Sequence, residues 1–76
     1  MDVESQLSEL VVRILGRRLV LEEKEIAFTQ MNDWDSLVHM QIILHCEEIF
    51  NVEFSQEEIR RLTSFSSIVS TLQEKV

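Results

Sequence analysis

A serine hydroxyl, a histidine ring and a carboxylate lie close together near the middle of the sequence. Ser36 and His39 are three residues apart, and Asp35 directly precedes the serine. On a helix such spacing brings side chains near one another, so a nucleophile assisted by a base is conceivable. However, no oxyanion-hole loop or nucleophile elbow surrounds the serine, and His39 falls on the predicted core face of its helix. A serine hydrolase is therefore disfavoured, and no catalytic residue is assigned.

Histidine and cysteine side chains could also bind a metal ion, but their spacing here is unfavourable. His45 and Cys46 are adjacent and diverge by about 100° on a helix, whereas His39 and Cys46 are about two turns apart. No metal site is predicted. Cys46 is the only cysteine, and we interpret it as a small buried hydrophobic residue in a reducing, cytoplasmic compartment.

The composition favours a small helical domain. The chain has 76 residues with one glycine and no proline, and 45% of the residues are hydrophobic. One domain over residues 1–76, a free-standing protein and a monomer are expected, without room for an enclosed substrate cleft. No signal peptide or membrane-spanning segment is predicted. The net charge of −7 disfavours nucleic acids and anionic membranes and favours transient docking to basic protein surfaces.

Apolar periodicity and capping residues predict four helices. The first spans about residues 3 to 15, between an Asp2 cap and Gly16, and the second spans Ser36 to Phe50 behind Asp35. Ser55 and Glu58 form a capping-box pattern that opens a short third helix. A fourth helix begins behind Ser64, and its apolar face comprises Phe65, Ile68, Val69, Leu72 and Val76. These elements predict an all-α fold, a small irregular four-helix bundle with one core.

A long connection between the first two helices, residues 17 to 35, lacks any persistent period. A connection of this length in so small a domain is usually functional or firmly anchored. Its scattered apolar residues are expected to attach it to the core: Leu19, Leu21, Ile26, Phe28, Met31 and Trp34. We interpret Trp34 as a large anchor that seals the connection onto the bundle.

The second predicted helix has two apolar faces. Its core side comprises His39, Ile42, Ile43, Cys46 and Phe50. Leu37, Met40 and Leu44 lie on the opposite side, where they cannot reach the same core. Either the long connection folds over them, or they form an exposed docking surface with an acidic rim.

The motif Asp35-Ser36-Leu37 at a helix start, followed by Glu47-Glu48-Ile49-Phe50, resembles the signature of the acyl carrier protein family. The resemblance extends from about Trp34 to the C-terminus and includes the Thr63-Ser64-Phe65 entry into the last helix. Trp34 replaces the glycine that is common before this motif in fatty acid carriers. The Trp-Asp-Ser-Leu form is similar to discrete carriers of specialised pathways.

This resemblance implies a carrier rather than an enzyme. It implies a 4′-phosphopantetheine arm, derived from coenzyme A and attached to Ser36, and a role for Asp35 in organising the metal ion of the transferase. The first turn of a helix suits the phosphodiester because of its unpaired N–H groups and positive dipole. The expected lining of an acyl pocket is Ile42, Ile43, Cys46, Ile49 and Leu62.

The implied partners are a phosphopantetheinyl transferase and acyl-transferring, condensing or ligase enzymes with basic docking surfaces. The expected partner-binding residues are Leu37, Met40, Leu44, Glu47 and Glu48. The implied cargo is a fatty acyl, polyketide, aminoacyl or other thioester. The alternative interpretation is a small acidic helical adaptor that uses the same face to bind one protein and has no prosthetic group.

Overall fold

A computed structural model of the chain describes residues 2–76. These residues form four α-helices and two 3-10 turns, and no β-strand occurs among them. The helices, numbered in chain order, are α1 (Val3–Leu15), α2 (Ser36–Phe50), α3 (Gln56–Arg61) and α4 (Phe65–Lys75). The predicted all-α class, the four-helix order and the short third helix are confirmed.

The helix ends lie where the capping residues predicted them. Asp2 accepts a hydrogen bond from the Glu4 N–H at the start of α1, and Gly16 ends it in the left-handed region at φ 87°. A side chain would strain that backbone conformation, which glycine adopts without cost. The capping box at α3 is formed reciprocally between Ser55 and Glu58, with N···O distances of 2.8 and 3.1 Å.

A single hydrophobic core joins the helices, and α1 packs on both α2 and α4. The helices bury their apolar stripes, which removes these side chains from water and stabilises the bundle. The buried core consists of Val3, Leu7, Leu10, Val11, Phe28, Met31, Trp34, Ile42, Ile43, Cys46, Phe54, Leu62, Phe65, Ile68 and Leu72.

The long connection is anchored by polar as well as apolar contacts. It contains two 3-10 turns, at Leu21–Lys24 and Phe28–Gln30. The Phe28 N–H donates to the Thr63 carbonyl oxygen at 2.7 Å, which ties the connection to the segment between α3 and α4. Arg17, the first residue of the connection, forms ion pairs with Glu23 within it and with Asp33 near its end. The N···O distances are 2.7 Å to Glu23 and 2.8 Å to Asp33. These hydrogen bonds lower the pKa of both carboxyl groups, because they favour the charged form.

Two apolar residues that the sequence pattern placed in the core are exposed. Leu21 was expected to attach the connection, but it is 77% exposed at the start of the first 3-10 turn, while Leu19 and Ile26 pack against the core. Val76 was placed on the apolar stripe of the last helix, but it follows the end of α4 and is exposed. Within residues 2–76, no helix has the length and apolar character that crossing a bilayer would require.

Candidate functional site

The start of α2 presents Ser36 to solvent on a well-formed cap. Asp35 has an extended backbone, and its carboxylate accepts a hydrogen bond from the Val38 N–H at 2.9 Å. Ser36 is therefore the first residue of the helix, and its side chain is exposed. An anionic group on this hydroxyl would lie near the positive end of the helix dipole, an interaction worth about 0.3–1 kcal/mol.

An aromatic cluster of Phe28, Trp34 and His39 holds the chain that leads to this helix start. The rings of Phe28 and Trp34 are parallel within 2°, with centroids 3.8 Å apart. The Trp34 indole N–H donates to His39 Nδ1 at 3.1 Å, and the Phe28 and His39 rings meet edge to face. Trp34 is buried, as the interpretation of an anchor requires. The cluster thus fixes the backbone at Trp34, which directly precedes Asp35 and lies two residues before Ser36.

The imidazole of His39 is half-buried, and its role in the cluster differs from that of a catalytic base. Burial lowers the pKa of His39 below its ordinary value of 6.5, so the ring is neutral at pH 7. Because Nδ1 accepts the indole proton, the ring proton resides on Nε2. The Asp35 carboxylate is bonded to the Val38 N–H. Asp35, Ser36 and His39 are therefore close in sequence without forming a proton relay.

The outer face of α2, defined by Leu37, Met40 and Leu44, is exposed. These side chains are 67%, 44% and 57% accessible, respectively. Of the two arrangements expected for this face, the exposed one is confirmed, and the alternative in which the long connection covers it is wrong. Leu37 directly follows Ser36, so an apolar surface adjoins the exposed hydroxyl.

The two glutamates near the end of α2 have different environments. Glu47 is half-buried, and its Oε2 accepts a hydrogen bond from the Phe54 N–H at 2.8 Å. This bond ties α2 to the chain that leads into α3. Glu48 is exposed. Glu48 is thus available to a partner, whereas the Glu47 carboxylate already serves the fold.

The residues expected to line an acyl pocket lie in two environments. Ile42, Ile43, Cys46 and Leu62 are buried among core side chains, with exposures of 0–1%. Ile49 is 43% exposed, so its expected position facing the interior is wrong. Ile49 lies seven residues after Ile42 and three after Cys46, so it is at the edge of the same stripe, but in the last turn of α2.

An open groove of about 560 Å³, not among the sites expected from the sequence, begins at Asp35 and Ser36. The aromatic cluster and Met40 contribute to its walls from the side of α2 and the long connection. Ile59, Arg60, Leu62 and Thr63 contribute from the side of α3. Only Leu62 belongs to both this groove and the expected acyl lining. The groove lies between the second 3-10 turn and the start of α2 on one side and α3 with the residues after it on the other. Apolar periodicity contains no signal for this placement.

The environment of Cys46 is apolar. Burial, with a smaller contribution from the nearby Glu47 charge, raises the pKa of its thiol to about 12. The thiol is therefore protonated and unreactive at neutral pH. Among residues 2–76, no three histidine, cysteine or acidic side chains are grouped so that they could hold a metal ion.

We expect Cys46→Ala to lower the free energy of unfolding by roughly 1 kcal/mol or somewhat more, because burial is lost and a small cavity forms. The substitution should leave any covalent modification of Ser36 intact. Chemical denaturation measures the first effect, and intact-mass analysis measures the second. A folded Cys46→Ala protein that can no longer be modified would contradict the structural role.

The chain is related in sequence to a known protein. No family model matches the chain. It is similar to an acyl carrier protein from Buchnera aphidicola subsp. Baizongia pistaciae (strain Bp), with 30% identity over 78 residues. The alignment covers 99% of this chain and 96% of the relative. On this near-complete similarity, the chain belongs to the acyl carrier protein family, whose members are carriers and not enzymes.

Proposed function

We propose that this protein carries acyl or related biosynthetic intermediates as thioesters on a 4′-phosphopantetheine arm attached to Ser36. The observation that supports the proposal most is the exposed Ser36 hydroxyl at the first position of α2, in a chain of the acyl carrier protein family. The 4′-phosphopantetheine group supplies the thiol that bears the cargo. In the same proposal residues 1–76 act as one carrier domain.

The residues around Ser36 fit such a group. The first turn of α2 provides backbone N–H groups and a positive dipole end for the phosphodiester. The cap by Asp35 and the anchored Trp34 hold the hydroxyl in a fixed position on an otherwise exposed surface. A transferase can therefore reach the hydroxyl without opening the fold. We propose that Asp35 also helps the transferase to place its metal ion.

Partner enzymes are proposed to dock on the outer face of α2. Leu37, Met40 and Leu44 form an apolar surface next to Ser36, and Glu48 lies exposed on the same helix. The net charge of −7 favours partners with basic surfaces, since complementary charge mainly raises the rate of association. The cognate enzymes in this proposal are the phosphopantetheinyl transferase and acyl-transferring, condensing or ligase enzymes.

The test of the carrier proposal is the intact mass of the protein after coexpression with a broad-specificity phosphopantetheinyl transferase. A carrier gains the mass of one phosphopantetheine group, and proteolysis assigns the group to the peptide that contains Ser36. A protein that keeps only its sequence mass would support the alternative, an adaptor without a prosthetic group that uses the outer face of α2 to bind one protein.

The rates of association and dissociation should separate the contributions of apolar and charged residues to docking. We expect Leu37→Ala and Met40→Ala to accelerate dissociation from the transferase by about fivefold or more, which corresponds to roughly 1 kcal/mol of binding per truncated side chain. Glu48→Lys should instead slow association and reduce its dependence on salt. Stopped-flow kinetics with one cognate enzyme measures both rates.

Leu21→Ala is the matched control for these kinetics. Leu21 is also an exposed leucine, but it lies in the long connection and outside the outer face of α2. Its truncation should leave both rates unchanged. If Leu37→Ala and Met40→Ala bound as tightly as the parent, the outer face of α2 would not be the docking surface.

A further inference from the structure

The residue pair Trp34 and His39 joins the chain before α2 to the first turn of that helix. Trp34 directly precedes the cap residue Asp35, and His39 is the fourth residue of α2. In many helices an apolar pair at these two positions packs together and fixes the angle at which the chain enters the helix. Here the pair is joined by a hydrogen bond, from the indole N–H to His39 Nδ1 at 3.1 Å. The entry angle of the chain that carries Asp35 and Ser36 thus depends on this bond.

The hydrogen bond between Trp34 and His39 requires a neutral imidazole. An indole N–H can only donate, and a neutral histidine has one acceptor nitrogen, whereas a protonated histidine donates from both nitrogens. A proton on Nδ1 would set two donors against each other at 3.1 Å. Trp34 is buried, and a buried donor without a partner is costly. Protonation of His39 therefore favours the release of Trp34 from α2.

Among the described residues, two ionisable groups share the groove with His39, and they carry opposite charges. Asp35 lies at the start of α2, and the guanidinium donor Arg60 lies on α3. The residues that the second 3-10 turn contributes to the groove, Phe28 and Thr29, are uncharged. Burial lowers the pKa of His39 below its ordinary value of 6.5. The ring is therefore neutral at pH 7, and the midpoint of its protonation lies below pH 6.5.

We propose that His39 is a positioning residue for the modification of Ser36, whose neutral imidazole holds Trp34 and so fixes the chain that presents the hydroxyl. This inference rests on the proposed attachment of the arm to Ser36. His39 does not touch the hydroxyl in this role and acts through Trp34 and the Asp35 cap. Acidification releases Trp34, and fewer molecules then present Ser36 in the geometry that the transferase requires.

The indole signal of Trp34 tests the bond directly, because the chain has a single tryptophan. Isotope-labelled protein without the arm is titrated from about pH 8 to about pH 5 and followed by NMR, while circular dichroism confirms that it stays folded. The indole proton should move upfield as His39 gains its proton, with a midpoint below pH 6.5. In His39→Asn the side-chain oxygen can accept the same N–H at every pH, so the signal should stay constant.

The role in positioning is tested by the rate at which the transferase modifies Ser36. The rate of the parent is divided by that of His39→Asn at each pH, which cancels the titration of the transferase itself. This ratio should fall by about fivefold or more as His39 becomes protonated, since an unpaired buried donor is costly. His45→Asn is the matched control, because His45 is the other histidine of the chain and is exposed on the same helix. It should keep the pH dependence of the parent.

An indole signal of the parent that does not move on acidification, or that moves equally in His39→Asn, overturns the bond between His39 and Trp34. The parent titration needs no variant, so it decides on the bond even if His39→Asn does not fold. A moving signal with a constant ratio of rates overturns the positioning role and leaves the carrier function standing. Protein that acquires no arm by intact mass overturns the proposed function and, with it, the role of His39 in attachment.

Discussion

Ser36→Ala is expected to abolish covalent modification completely while the protein stays folded. The Ser36 hydroxyl is the proposed acceptor of the phosphodiester, and alanine offers no oxygen for the new bond. The side chain is exposed, so its loss should change the free energy of unfolding by less than about 0.5 kcal/mol. Intact-mass analysis after coexpression with the transferase measures modification, and circular dichroism during thermal unfolding measures stability.

Ser70→Ala is the control for this loss, because Ser70 is also an exposed serine on an α-helix. It should be modified as fully as the parent protein. A phosphopantetheine mass increment on the Ser36→Ala protein would show that another hydroxyl is the acceptor. An unmodified parent protein would show that the chain carries no arm at all.

Helix boundaries could be predicted from the sequence because local chemistry determines them. Asp2 and Gly16 bound α1, Asp35 caps α2, and Ser55 and Glu58 form the capping box of α3. Each of these residues acts within one helical turn, by satisfying backbone groups that the helix leaves unpaired. The sequence also predicted that the outer face of α2 cannot share the core, since a helix with two apolar faces cannot bury both against one side of a bundle. It left open whether the long connection covers that face.

The groove and its donors could not be predicted, because they depend on contacts between distant segments. Arg60 is an exposed arginine on a short helix, and only the placement of α3 beside the second 3-10 turn gives it a position near Ser36. The Trp34–His39 hydrogen bond likewise depends on the side-chain orientations of both residues. The exposure of Ile49 shows the complementary error: an apolar residue at the edge of a buried stripe can remain exposed in the last turn of its helix.

The anchoring of the long connection links the stability of this protein to its site. Phe28 is buried, stacks on Trp34 and donates its backbone N–H to Thr63. Its ring therefore supports the residue that precedes the Asp35 cap. Removing the ring should both destabilise the bundle and release the backbone that positions Ser36.

We expect Phe28→Ala to lower the free energy of unfolding by about 3–5 kcal/mol, the range for removing a buried aromatic ring from a core. For a small domain this is a large fraction of the total stability of about 5–15 kcal/mol. Urea denaturation followed by circular dichroism measures the loss. Modification of Ser36 should also slow, because fewer molecules present the hydroxyl in the geometry held by Asp35 and Trp34.

Phe28→Leu separates burial from stacking. Leucine keeps most of the apolar volume, so it should recover a large part of the stability that alanine loses, but it cannot stack on the Trp34 ring. If the stack positions Ser36, the leucine variant remains folded and is still modified more slowly than the parent at a temperature where both are fully native. Equal rates of modification for Phe28→Leu and the parent would show that the aromatic cluster stabilises the bundle without positioning the site.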